Sequence, residues 1–131
     1  MSQKNKSSYR LVFPWDALVP DNRRFIGGRG RSHVLTQRYR DAKDLMGMLA
    51  LAQIKGKKPL HPKKRVWMRL EFYMPDKRRR DPNNLLKGIA DALEGCVYSD
   101  DKQIHQLSWE NKGLDREYPR VEIDYGEYNS D

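Results

Sequence analysis

In the stretch VWMRLEFYM (66–74), Val66, Met68, Leu70, Phe72 and Met74 alternate with Trp67, Arg69, Glu71 and Tyr73. A period of two over that length marks a strand with one face on a core and the other toward water. Pro75 ends it, because proline has no N–H to give to a sheet. The rest of the chain must therefore supply a layer to cover the apolar face.

YRLVFPW (9–15) is a short apolar run stopped by Pro14, which predicts a first strand. In ALVPDNRRFIGGRGRSHV (17–34), Pro, Asn and glycines deny a regular period, and Arg23, Arg24, Arg29 and Arg31 make the segment a basic loop. From Thr36, a candidate N-cap, Tyr39, Ala42, Leu45, Met46, Leu49 and Ala52 recur at helical spacing. That helix is expected to end near Gly56, with LMGMLALAQI (45–54) as its buried side. A basic connector, KGKKPLHPKKR (55–65), leads into the alternating strand. A second helix is predicted to run to about Glu94, with Gly95 as its stop. QIHQLSWENK (103–112) and PRVEIDYGE (119–127) read as two strands, joined as a hairpin through Gly113 and Asp115. The order β-α-β-α-β-β implies an α+β fold, a mixed β-sheet with two main helices packed on it. A chain of 131 residues without internal repeats is one domain, 1–131, with 1–8 expected to be flexible and 126–131 frayed.

A net charge of +8, from 26 basic and 18 acidic residues, favours a polyanionic partner, nucleic acid or an anionic membrane surface. The longest apolar stretch is too short to span a bilayer, so no membrane segment is expected. MSQKNKSSYR has no apolar region of the secretory kind, and a cytoplasmic location is expected. Cys96 is the only cysteine, which excludes an intrachain disulfide. With His33, His61 and His105 scattered, no familiar zinc pattern arises.

The stretch DKRRRDPNNLLK (76–87) sets four consecutive cations, Lys77, Arg78, Arg79 and Arg80, against Asp81 at the start of the second helix. At about 100° per residue, Leu85, Leu86, Ile89, Ala92, Leu93 and Cys96 gather on a core face. Asn83, Asn84, Lys87 and Asp91 gather opposite. One reading makes Asp81 an ordinary N-cap with Pro82 at the first helical position. The other starts from the helix terminus, whose partial positive charge and free N–H groups join the four cations as a phosphate site. An aspartate there repels phosphate unless a divalent cation sits between them, and Mg²⁺ takes oxygens from a few carboxylates and from substrate phosphate. Asp91 lies ten residues from Asp81, roughly 15 Å along the axis, and is set aside as a partner for it. The turn YSDDKQ (98–103), with Asp100 and Asp101 adjacent, is the better source, although Ser, Asp and Lys also make ordinary turns.

Over MPDKRRRDPNNLLKGIADALEGCVYSDDKQI (74–104) the sequence closely resembles the RusA-type Holliday-junction resolvases, and it does so more weakly over LVFPW, the basic loop and the first helix. The resemblance implies a homodimeric, Mg²⁺-dependent endonuclease, with Mn²⁺ substituting, that cuts four-way junction DNA symmetrically and uses no small-molecule cofactor. It also implies a cell of bacterial type or a phage as the source. Its Asp-x-Asp-Asn motif maps onto Asp81, Asn83 and Asn84, its turn aspartate onto Asp101 with Asp100 beside it, and its helix lysine onto Lys87. Asn83 departs from the pattern: its carbonyl oxygen can meet a metal but brings no charge. The resemblance thus implies Asp81, Asp101 and Lys87 as catalytic residues and Asp81, Asn83, Asp100 and Asp101 as metal ligands. Lys77, Arg78, Arg79, Arg80 and Asn84, with the loop arginines, would track the DNA backbone.

Two rival readings stand beside it. One is a junction-binding relative whose cleavage is weakened by Asn83. The other is a basic RNA-binding module in which the aspartates are caps and turn formers.

Overall fold

The computed structural model describes residues 8–18, 25–26, 34–55, 59–60 and 62–129. Four strands form the main sheet: β1 (Ser8–Pro14), β4 (Val66–Met74), β5 (Ile104–Leu114) and β6 (Arg120–Glu127). Helices α1 (Gln37–Ile54) and α2 (Asn83–Leu93) pack on one side of it, so the architecture is α+β with a mixed sheet. A short ribbon, β2 (Phe25–Ile26) against β3 (Val34–Leu35), pairs antiparallel within the segment expected to be plain loop. Arg23, Arg24, Arg29, Arg31, His33, Gly56 and His61 lie outside the described residues, as do 1–7 and 130–131 of the termini expected to be loose.

The expected hairpin between the last two strands is not formed. The sheet order is β1-β6-β4-β5, with β6 antiparallel to both neighbours and β5 parallel to β4. Composition explains the choice. Val121, Ile123 and Tyr125 of β6 alternate and are buried, which suits a central slot, whereas β5 is exposed along nearly all its length and takes an edge. The link from β5 to β6 therefore crosses the end of β4, and Asp115 N–H donates to Met74 O there at 2.9 Å.

The apolar face of β4 meets Leu11 and Phe13 of β1, the three apolar residues of β6, and both helices in a single core. α2 contributes Leu85, Ile89, Ala92 and Leu93 to it. α1 starts as expected, with Thr36 Oγ1 accepting from Tyr39 N–H at 3.1 Å. Its buried side is narrower than its composition suggests: Tyr39, Met46, Ala50 and Ile54 are buried, while Leu45, Met48 and Leu51 face solvent at 42%, 69% and 55% exposure. The second half of the helix, LMGMLALAQI (45–54), is apolar nearly all round, so its sequence singles out no one face.

The two outer strands differ. On β1, the Gln53 side chain from α1 accepts from Val12 N–H and donates to Val12 O, both at 2.8 Å. β5 carries Leu107, Trp109 and Leu114 exposed, and among the described residues no strand lies beyond it.

Candidate active site

β4 delivers the chain through Pro75 into the basic run. Asp76 organises that run: its Oδ1 accepts from Arg78 N–H at 2.8 Å, and its two carboxylate oxygens hold the Arg80 guanidinium, with Nη2 to Oδ2 at 3.0 Å. Arg80 also lies 5.5 Å from the centre of the Trp15 ring. The Arg80 hydrogen bonds, aided by the Arg78 N–H, hold the Asp76 carboxyl far below the usual carboxylate range, and Asp76 raises the Arg80 pKa in turn. Arg80 is thus tied down, whereas Lys77, Arg78 and Arg79 project into solvent beside Asn111, Gly113 and Leu114 of β5. Asn84 faces a second cleft with Arg79, Arg80, Asp81 and Trp15.

The start of α2 is self-satisfied, which corrects the expectation of free N–H groups there. Asp81 Oδ1 accepts from Asn83 N–H at 3.0 Å, Asp81 O from Asn84 N–H at 3.0 Å, and Pro82 O from Leu85 N–H at 2.9 Å. Pro82 has no N–H to offer. Asp81 therefore caps the helix, and attraction for phosphate at this end comes from the side-chain cations and the helix dipole. Asn83 turns its Oδ1 to β5, where Trp109 Nε1–H donates to it at 3.1 Å.

The other end of α2 gathers the carboxylates. Gly95, at φ +85, reverses the chain as only glycine does without strain. The turn then packs: Tyr98 is fully buried, and its hydroxyl donates to Ala90 O at 2.7 Å. Gln103, the one buried polar side chain among the described residues, accepts from Ser99 and Asp100 N–H at 2.8 and 2.9 Å and donates to Lys64 O at 2.9 Å. Asp100 completes a capping box with it, and its Oδ1 accepts from Lys102 N–H at 2.8 Å. Asp101 is left pointing back at α2, its N–H donating to Glu94 Oε2 at 2.9 Å.

Lys87 closes the arrangement. Its Nζ lies 3.2 Å from Asp101 Oδ2 and 3.5 Å from Asp91 Oδ1. The Asp101 hydrogen bond and the Asp91 charge raise the lysine pKa above its ordinary value, so it is a permanent cation at neutral pH. From α1, the Tyr39 hydroxyl donates to Asp91 Oδ2 at 2.9 Å. Asp91, Glu94 and Asp101 each present a carboxylate oxygen, all within 4.8 Å of one another. One ammonium among three carboxylates leaves negative charge in excess, and an all-oxygen donor set fits a hard divalent cation.

Of the residues singled out from sequence, Lys87 and Asp101 meet directly. Asp81, Asn83 and Asn84 stand at the opposite end of the helix, and Asp100 is occupied in its turn. Sequence reasoning passed over Asp91, Glu94 and Tyr39. Asp91 was measured against Asp81 along the helix, but the turn folds Asp101 back onto Asp91. The spacings Lys87–Asp91 and Asp91–Glu94 mark one helix face, and Asp100-x-x-Gln103 is a capping-box pattern.

The fold and site define a basic α+β protein that sets exposed cations at one end of a helix and, at the other, a carboxylate cluster able to take a divalent ion. The chain belongs to the RusA endodeoxyribonuclease family, whose model, described as endodeoxyribonuclease RusA, matches residues 16–125. It is similar to the crossover junction endodeoxyribonuclease RusA of Escherichia coli (strain K12), 36% identical over 101 residues that cover 75% of this chain and 78% of that protein. The protein of the same name from Shigella sonnei is 35% identical with the same coverage. That of Enterobacteria phage 82 is 35% identical over 103 residues, 75% of this chain and 78% of the phage protein.

Proposed function

We propose that the protein is a divalent-metal-dependent endonuclease that resolves four-way DNA junctions by paired, symmetric cuts, acting as a homodimer in a bacterial or phage-infected cytoplasm. Membership of the RusA family supports the reaction class. The observation that carries the mechanism is the meeting of Lys87 with Asp101 beside Asp91 and Glu94.

Asp101, with Asp91 and Glu94, would hold Mg²⁺ or Mn²⁺, and Asp81, Asn83 and Asp100 are the further candidates carried by the family resemblance. A bound divalent ion supplies an activated water and neutralises charge on the phosphate. The protein's part is to aim and to exclude. Lys87 brings a point charge to the non-bridging phosphate oxygens, and the Asp101 carboxylate faces the same place. Lys77, Arg78 and Arg79 grip the flanking backbone, whose contacts position the DNA without reading sequence. Two copies suit the approximate two-fold symmetry of a junction, since paired nicks need two sites.

The test is nicking of a synthetic four-way junction across a Mg²⁺ series, with linear duplex of equal length as control. Equal binding of junction and duplex at moderate salt, with no Mg²⁺-dependent nicking, would reduce the protein to a general nucleic-acid binder. A second reading, junction binding with weakened cleavage, is favoured by one contact: the Asn83 oxygen already accepts from Trp109.

A further inference from the structure

Tyr39 is 2% exposed, in the first turn of α1, at the crevice where Leu85, Gly88 and Ile89 of α2 meet that helix. Packing alone asks only for an aromatic ring there. A hydroxyl carried into such a place is costly unless it is hydrogen-bonded, and this one reaches Asp91 Oδ2 at 2.9 Å. The other oxygen of the same carboxylate, Oδ1, is the one that faces the Lys87 ammonium. The contacts thus run in a line from the buried core of α1, through Asp91, to a flexible cation at the candidate active site. A carboxylate fixed at one oxygen cannot swing, so its second oxygen offers the lysine a fixed seat. Asp101 is the lysine's other partner, and both carboxylates are candidate metal ligands, but of the two Asp91 is the one with an oxygen held from α1.

We propose that Tyr39 is a positioning residue for Lys87, acting through Asp91: the phenol fixes the carboxylate, and the carboxylate fixes the ammonium. The inference rests on the part given to Lys87 above. It predicts that α1, which carries none of the residues of the basic run or the acidic turn, sets the rate of cleavage without touching DNA.

A double-mutant cycle tests it. Wild type, Tyr39→Phe, Lys87→Met and the double variant are compared for kcat and KM on a synthetic four-way junction with Mg²⁺, and for junction affinity in EDTA. The ¹⁵N resonance of the Lys87 ammonium is read in metal-free protein. Tyr39→Phe is expected to lower kcat about 5- to 10-fold, the loss of one charge-assisted hydrogen bond, with KM and EDTA affinity unchanged. In the Lys87→Met background the same substitution is expected to cost nothing further, because the residue it acts through is gone. The Lys87 resonance is expected to shift in Tyr39→Phe. Equal losses in both backgrounds, or an unmoved Lys87 resonance, would make Tyr39 a packing residue and overturn the proposal alone. Wild-type cleavage by Lys87→Met would overturn the mechanistic reading and the proposal with it. Should Tyr39→Phe fail to fold, Asp91→Asn retains an acceptor for the phenol while removing the charge that holds Lys87, and in metal-free protein it must shift the Lys87 resonance; an unmoved resonance there overturns the proposal.

Discussion

The two ends of α2 divide the chemistry between them. Ahead of the first turn, three exposed cations precede an aspartate whose carboxylate is spent on the helix's own backbone. At the last turn, three carboxylates crowd one lysine. The helix is 11 residues long, about 16 Å, so one end can attract phosphate while the other holds what repels it. The difference predicts that gripping DNA and cutting it are separable properties of this chain.

The sharpest break in that comparison is Asp101→Asn. Cleavage is expected to fall to background, a loss of roughly 100-fold or more, while junction binding in EDTA holds or strengthens because a charge that repels phosphate has gone. Cleavage assays and gel-shift titrations on the same preparations check it. Joint replacement of Lys77, Arg78 and Arg79 by alanine is expected to do the reverse. Affinity should drop about 10- to 100-fold, and the slope of log affinity against log salt should flatten by about 0.9 for each phosphate that is no longer neutralised. The rate at saturating junction should hold. If that rate falls as far as the affinity, the two ends do not work apart.

Asn83→Asp probes the middle ground. The new carboxylate can still accept from Trp109 with one oxygen and adds charge with the other; if residue 83 shares the ion, as the family resemblance implies, the Mg²⁺ concentration for half-maximal cleavage should fall roughly 5-fold, about 1 kcal/mol of binding. An unchanged requirement, measured with junction saturating, would place residue 83 outside the reach of the ion. The smallest effect concerns Asp76, whose lowered pKa ties its stabilising contribution to its ionised form. That contribution is present above the ordinary value of 3.8 and is lost as pH falls through the folded-state value. Asp76→Asn should therefore melt lower than wild type at pH 7, and the gap should narrow as the solution is acidified below 3.8. A gap of constant size would mean that the Arg80 tie contributes no charge-dependent stability.

What was legible in the sequence followed local rules. The β4 strand, the Thr36 cap and the Gly95 stop are each decided within a few residues, and each stands where the pattern puts it, except that Trp67 is buried on the side of β4 expected to face water. Lys87 and Asp101 were singled out through the family resemblance, on a helix face and an acidic turn that are local too, and the two side chains meet. The rest depended on what packs against what. No short window of β5 or β6 says that β6 slips between β1 and β4, because that choice compares burial across the whole sheet. Leu45, Met48 and Leu51 look like core in any window, yet α1 can turn only one stripe inward. Asp91 was legible as a polar residue but not as a neighbour of Asp101, since that contact depends on how far the chain doubles back after Gly95.

Gln53 bears on how many copies can join edge to edge. A bare outer strand is a template for another chain's backbone, and on β1 that template is filled at Val12 by an amide that copies a strand's own donor and acceptor. Among the described residues, the longest margin left open is the outer side of β5. Head-to-tail stacking needs two different margins, and Gln53 obstructs one of them at Val12. Two copies that met β5 to β5 about a two-fold axis would each consume the other's margin, and association by that route would stop at two.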